Sequence, residues 1–263
     1  MGKKLIIANW KMNLNVSEGS LFVHKLDTLI GHQPDVEVVI APTMLALQPL
    51  NMQVQHHHFN LAAQNFYWRD NGAFTGEVSA AMLRGLVKYG LVGHSERRHI
   101  FGERDRDLRN KVQAAYRNEI IPVLCVGETA NERTDGETND ILHDQLVGGL
   151  TNITGEEAAQ LVVAYEPVWA IGTGTIPTAS DISKAIKAIR SQIKHLFGAS
   201  IASKVRVLYG GSVNSDNAAS ILAIEGVDGL LVGGASLDVH AFAGIIKHAQ
   251  KASEKATKKG GKK

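Results

Sequence analysis

Eight short runs of branched apolar residues recur along this chain, their starts about 25 to 45 residues apart. They are Leu5–Ala8, Val36–Ala41, Leu61–Gln64, Leu91–Gly93, Ile121–Val126, Leu161–Tyr165, Val205–Tyr209 and Leu230–Val232. The runs are nearly continuous rather than alternating, the pattern of parallel strands buried on both faces. Each gap has room for a helix and two loops. The segment Ser180–Phe197 places Ile182, Ala185, Ile186, Ile189 and Ile193 on one helical face, with Ser180 as its N-cap. Val78–Tyr89 and Leu108–Tyr116 also read as helices. Strands alternating with helices define an α/β protein. Eight such units in about 250 residues, with no linker between them, favour a single closed (β/α)8 barrel with an outer ring of helices. An open, doubly wound sheet is the alternative that this pattern leaves.

Composition narrows the function classes. The 263 residues are 44% apolar and 21% charged, as in ordinary globular domains. The net charge of +2 is uneven: residues 251–263 hold six lysines and one acid, so residues 1–250 stand at −3. A body of that charge offers no footprint for nucleic acid. The lysine-rich segment 251–263 is poor in apolar residues and is expected to be a disordered tail beyond a catalytic domain of residues 1–250. The one cysteine, Cys125, excludes an internal disulfide and fits a cytoplasmic enzyme. No N-terminal run is long enough for a secretion signal or a membrane span, and Ile6 breaks the lipidation pattern that Gly2 begins.

In a barrel, chemistry belongs to the residues that follow each strand. Asn9-Trp10-Lys11 follows the first run, where Lys11 is a cation suited to an anionic ligand. His94-Ser95-Glu96 follows the fourth. Ser95 reads as a helix N-cap, and the adjoining helix start is expected to keep the His94 imidazole neutral. Glu166 leaves the sixth run ahead of Pro167, and desolvation would raise its carboxyl toward a useful base. Pro167, Val168, Trp169, Ala170, Ile171, Gly172, Thr173 and Gly174 form an apolar, glycine-ended loop suited to closing over a ligand. Gly210-Gly211-Ser212 and Gly233-Gly234 follow the seventh and eighth runs, the recurrent phosphate-binding pair of loops. No metal-ligand pattern or organic-cofactor fingerprint accompanies them. His56-His57-His58 reads as surface histidine, and Cys125 as a buried thiol. The inventory suits proton transfer beside a carbonyl in a small phosphorylated substrate.

Seven motifs carry a family resemblance: Asn9–Asn13, Gly76–Ser79, Gly93–Arg98, Cys125–Glu128, Ala164–Gly174, Tyr209–Ser212 and Gly233–Ser236. In this order, across residues 5–250, they resemble triosephosphate isomerase, the family that gives TIM barrels their name and whose acid–base tuning and loop closure are standard examples. The resemblance implies an isomerase of glycolysis and gluconeogenesis that works without cofactor or metal. It interconverts D-glyceraldehyde 3-phosphate and dihydroxyacetone phosphate through an enediolate. Glu166 would be the base, His94 the polarising imidazole, and Lys11, with Asn9, the stabilising cation. Gly172, Ser212, Gly233 and Gly234 would bind the phosphate. It also implies a homodimer in which Phe74 and Thr75, on the long segment Asn65–Glu77, reach the partner. Thr175-Ile176-Pro177 departs from the Lys-Thr-Ala that many family members carry, with Pro177 stiffening the rear hinge. Another phosphosugar barrel enzyme, or an inactive scaffold on this fold, is the competing reading.

Overall fold

The computed structural model describes residues 3–54, 59–171 and 175–260, the side chains of 255–260 excepted. Its centre is a closed barrel of eight parallel strands in sequential order. The strands are β1 Lys4–Asn9, β2 Val36–Ala41, β3 Phe59–Ala63, β4 Tyr89–Val92, β5 Ile121–Val126, β6 Val162–Tyr165, β7 Arg206–Tyr209 and β8 Gly229–Val232. Pairing of Leu5 with Gly229 through Ala8 with Val232 closes the ring. The continuous apolar runs are explained by two cores. Leu5, Ile7, Val39, Leu91, Val123 and Leu208 fill the barrel interior. Ile6, Ala8, Val38, Ile40 and Leu124 face outward onto the helices. Both faces of each strand are dry, so neither alternates with polar residues.

At the strand starts a polar clasp spans the barrel. Glu37 on β2 accepts hydrogen bonds from Asn60 (3.1 Å), Lys88 (2.7 Å), Tyr89 (2.8 Å) and Arg206 (2.7 Å). These partners hold the Glu37 carboxyl below the usual carboxylate range although burial pushes it up. This end of a barrel serves stability, which leaves the opposite mouth for chemistry.

Three local expectations are corrected. The helix Ala179–Phe197 is capped by Thr178, not Ser180; Thr178 and Asp181 form a reciprocal capping box. The region read as one helix over Val78–Tyr89 is helical only over Ala80–Leu83. Gly85, at φ 77°, turns the chain out of the helix, and Tyr89 already belongs to β4. The last helix, Val239–Gly260, runs past residue 250 where disorder was expected. Phe242, Ile246 and Ala249 of this helix are buried, and the same face continues to Ser253, which is 8% exposed. The Ser253 hydroxyl donates to the Asp35 carbonyl at 3.2 Å, and Ala252 packs on the core. Alanine and lysine are strong helix formers, so few apolar contacts suffice to extend a helix already docked. Residues 261–263, like His56–His58, lie outside the described residues.

A pair of truncations checks this docking. Removing residues 255–263 is expected to leave the melting temperature unchanged. Removing 250–263 deletes the Ser253 bond and the Ala252 contact, roughly 1 kcal/mol, and is expected to lower it by about 2–4 °C. Equal melting temperatures for the two truncated proteins would show that residues 250–254 do not hold the body.

Candidate active site

β1 delivers Asn9 and Lys11 to the mouth of the barrel. Asn9 is 5% exposed, and its side-chain oxygen accepts the Lys11 backbone N–H at 3.1 Å. Lys11 sits at φ 52°, a left-handed conformation that costs energy for a side chain of this kind. Gln64, just after β3, stabilises it by donating to the Lys11 carbonyl and to the Ala41 carbonyl, both at 2.9 Å. The Lys11 ammonium pairs with Glu96. The lysine is thus held at both its backbone and its charged end.

β4 delivers His94, which is 6% exposed. His94, not Ser95, caps the short helix Ser95–His99, and its Nδ1 accepts the Glu96 N–H at 3.3 Å. An acceptor at Nδ1 puts the proton of the neutral ring on Nε2. Nε2 lies 3.0 Å from Glu166 Oε1. Ser95 serves the base instead, its backbone N–H donating to Glu166 Oε2 at 2.9 Å.

β6 delivers Glu166, 2% exposed. Oε1 receives no well-aligned hydrogen bond. The backbone at this point tolerates no neighbouring Cβ. A Cβ on Gly127 would stand 1.8 Å from the Glu166 carbonyl oxygen, and one on Gly210 would stand 3.0 Å from Glu166 Cγ. These two glycines give the base its room.

The electrostatics correct two expectations. Burial pushes the Glu166 carboxyl up, as anticipated. His94, the Ser95 N–H and Lys11 outweigh it, and the net direction is down. Burial also pushes His94 down, but the Glu166 and Glu96 carboxylates outweigh it and the net direction is up. The helix start beside His94 therefore does not decide its protonation while Glu166 points at the ring. Glu166→Gln removes the largest raising influence and leaves burial and Lys11 opposed by Glu96 alone. The imidazole pKa is expected to fall in that variant, read by ¹⁵N NMR titration. An unchanged or higher value would contradict the pairing.

β7 and β8 complete the mouth. Asn9, Lys11, His94, Glu166, Ser212, Gly233 and Gly234 all line one cavity of about 280 Å³. The Ser212 hydroxyl donates to the Ala170 carbonyl at 2.6 Å, tying the loop after β6 to the loop after β7. Gly233 caps the 3₁₀ turn Gly234–Ser236. A Cβ on Gly234 would meet no protein atom within 4 Å, so internal packing does not demand glycine there. Open backbone on the rim of a cavity suits a bulky anion. Of the expected closing loop, Ile171 lines this cavity and Pro167, Val168, Trp169 and Ala170 connect it to Glu166, whereas Gly172, Thr173 and Gly174 fall outside the described residues.

Sequence reasoning missed Gln64, Glu96, Glu128 and Arg133. Glu96 was legible as the residue two beyond His94. Glu128 closes the Cys125–Glu128 motif, but the motif assigns it no role; it is fully buried and accepts from Tyr165 (3.1 and 3.2 Å) and the Trp169 indole (2.9 Å). Gln64 and Arg133 carry no pattern that marks them before the barrel closes. No group of three His, Cys, Asp or Glu side chains among the described residues has the arrangement of a metal site. Cys125 is buried, with its thiol pushed well up by burial.

The comparisons with known proteins agree with one another. Residues 4–249 match the family model for triosephosphate isomerase. The chain is 42% identical to the triosephosphate isomerase of Citrifermentans bemidjiense over 251 residues, 95% of this chain and all of that one. It is 43% identical to that of Moorella thermoacetica over the same shares. It is 44% identical to that of Carboxydothermus hydrogenoformans, over 94% of this chain and 99% of that one.

Proposed function

The chain belongs to the triosephosphate isomerase family, and from that premise we propose that Glu166, His94 and Lys11 carry the proton transfers in its cavity. The reaction itself is the interconversion of D-glyceraldehyde 3-phosphate and dihydroxyacetone phosphate through an enediolate, a step of glycolysis and, reversed, of gluconeogenesis. The observation that carries the residue assignment is the setting of Glu166. It is a buried carboxylate lining the cavity, with one oxygen held by Ser95 N–H and the other lacking a well-aligned bond.

Oε1 of Glu166 takes the proton from the carbon next to the carbonyl and returns it to the other carbon. That the carboxyl lies below its ordinary value keeps it ionised and ready to accept. The Nε2 proton of His94 polarises the carbonyl oxygen and then shuttles between the two oxygens of the enediolate. The Lys11 ammonium stabilises the negative charge that develops there, and Asn9 fixes its backbone. Backbone N–H groups of Ser212, Gly233, Gly234 and Gly172 hold the phosphate. The segment from Pro167 to Gly174 closes over the bound substrate and excludes water. No metal or organic cofactor takes part, because both proton positions are served by side chains.

The active unit is a homodimer. Two features support this reading. Met12 and Phe101 are 93% and 66% exposed, yet flank a cleft of about 220 Å³ that also includes Lys11, His94 and Glu96. Thr75 stands exposed on the long segment after β3 and is the residue that enters the partner's cleft. The chain works in the cytoplasm, in keeping with one unpaired cysteine. Glyceraldehyde 3-phosphate supplied to the purified protein in an assay coupled to consumption of dihydroxyacetone phosphate tests the whole reading. Turnover that survives loss of the Glu166 carboxylate would remove the assignment of the base, and absence of turnover would favour the inactive scaffold.

A further inference from the structure

His94 and Glu166 leave the barrel from different strands, so their approach depends on how the exits of β4, β5 and β6 are joined. Glu166 is tied to the β5 exit, its backbone N–H donating to the Val126 carbonyl at 2.8 Å. Its carboxylate is tied to the β4 exit by the Ser95 N–H. The last paired residues of β4 and β5 are Val92 and Leu124. One residue further on, Gly93 turns away at φ 71° and the ladder stops. The Arg98 guanidinium occupies this place. Its Nε donates to the Gly93 carbonyl at 2.9 Å and its Nη2 to the Cys125 carbonyl at 3.1 Å. It thus bridges the two residues that follow the last rung.

Arg98 also holds His94 from both sides. The Gly93 carbonyl belongs to the peptide group before His94. The His94 carbonyl, in the peptide group after it, accepts the Arg98 backbone N–H at 3.1 Å. That second group also carries the Ser95 N–H that reaches Glu166, and a peptide group moves as one plane. Fixing both planes fixes the direction in which the imidazole leaves the backbone. The guanidinium is held in turn: Nη1 donates to Asp105 Oδ1 at 2.7 Å, at the start of the helix Asp105–Arg117. The Arg98 side chain is 10% exposed. Acceptors on three separate segments suit the rigid fork of a guanidinium rather than the single nitrogen of a lysine.

We propose that Arg98 is a positioning residue for the proton transfers: it locks residues 93–95 to the β5 exit and so sets the approach of His94 and the Ser95 N–H to Glu166. The inference rests on the proposed roles of His94 and Glu166. Arg98 stands behind the cavity wall rather than on it, and the Ser212, Gly233 and Gly234 rim is built from other strands. The β5 exit has a second clamp. Gln145 accepts the Gly127 N–H at 2.8 Å and donates to the Gly127 carbonyl at 3.1 Å. Loss of Arg98 therefore releases residues 93–95 more than the backbone at Glu166. Misplacing catalytic groups by about 1 Å can cost on the order of 10²-fold in rate. A residue that only supported the fold would lower stability without separating turnover from binding.

The test measures turnover and binding in the same variants. Binding is read with sn-glycerol 3-phosphate, which has the phosphate but no carbonyl and so does not react. Arg98→Lys keeps the charge but gives up the fork. It is expected to lower kcat about 10- to 100-fold, with KM and the affinity for sn-glycerol 3-phosphate within about twofold of native. The Ser95 amide line in ¹⁵N-serine protein, assigned by its loss in Ser95→Ala, reads the geometry without turnover. It is expected to move upfield in Arg98→Lys as the bond to Glu166 lengthens. Asp105→Asn weakens the anchor from its more exposed end and is expected to shift kcat and this line in the same directions by less. It decides the matter should Arg98→Lys fail to fold. Arg109→Gln is the control, since it removes a bond from the same helix to the Gly148 carbonyl; a lower melting temperature with native kinetics is expected. Native kcat with an unmoved Ser95 line would overturn the proposal. So would a fall in kcat matched by a fall in affinity, or an equal fall in kcat in Arg109→Gln. Failure of the Glu166 assignment would show separately, as activity retained in Glu166→Gln.

Discussion

Glu166→Gln is expected to reduce turnover by about 10²- to 10⁴-fold while sn-glycerol 3-phosphate still binds. General-base catalysis by a positioned side chain contributes a factor of that order. The amide matches the carboxylate in size, so the room left by Gly127 and Gly210 is still filled. Its oxygen can still accept the Ser95 N–H, which now holds Oε2 at 2.9 Å. Basicity is what the substitution removes. Steady-state kinetics with the coupled assay, beside direct titration of the phosphate ligand, distinguishes the outcomes. A fall in both turnover and ligand affinity would mean that the cavity had collapsed and that the carboxylate is structural. Turnover near that of the native protein would mean that another group is the base.

The second large effect concerns assembly. If the proposed homodimer is the active unit, Thr75→Arg is expected to give monomers at micromolar concentration and to lower turnover at least tenfold. Burying an unpaired charge costs about 3–5 kcal/mol, and a two-fold contact repeats that cost. The structure favours this variant over Phe74→Asp. Phe74 is half buried in its own loop, its ring 4.5 Å from Tyr67, so replacing it would damage the loop as well as the contact. Phe66, on the same segment, is 1% exposed and belongs to the chain's own core, so it is no part of that contact. Turnover is expected to fall because Lys11 sits in a strained conformation beside the cleft that the proposed partner loop would fill. Sedimentation velocity and kinetics on the same preparation check both parts. A native protein that sediments as a monomer would refute the dimer, and a fully active monomeric variant would refute the coupling.

Much of the fold was legible because a barrel leaves a periodic signature. Each strand lay within two residues of an apolar run, since both faces of every strand are buried and its ends meet polar loops. Reading only the residues after each run then collected Asn9, Lys11, His94, Glu166, Ser212, Gly233 and Gly234, which all line one cavity. Local rules failed where two candidates compete within a few residues. Ser95 and Ser180 are good capping residues by type, yet His94 and Thr178 hold the caps, because theirs are the side chains that accept the N–H groups of the first turn, from Glu96 and Asp181. The helical reading of Val78–Tyr89 failed for a similar reason: Gly85 and the register of β4 interrupt a periodic pattern.

What the sequence determined by itself was the architecture and the kind of chemistry. Burial of both strand faces forces continuous apolar runs, and the ends of those runs mark the mouth of the barrel. What only the tertiary structure decided was the balance of interactions inside that mouth. The directions in which Glu166 and His94 titrate depend on a 3.0 Å approach between residues 72 positions apart in the chain. The strain at Lys11 is met by Gln64, and the grip on Trp169 comes from Glu128 and Arg133. No local pattern encodes these pairings, because Coulomb and hydrogen-bond energies depend on distance and burial in space, and both are set only when the eight strands close.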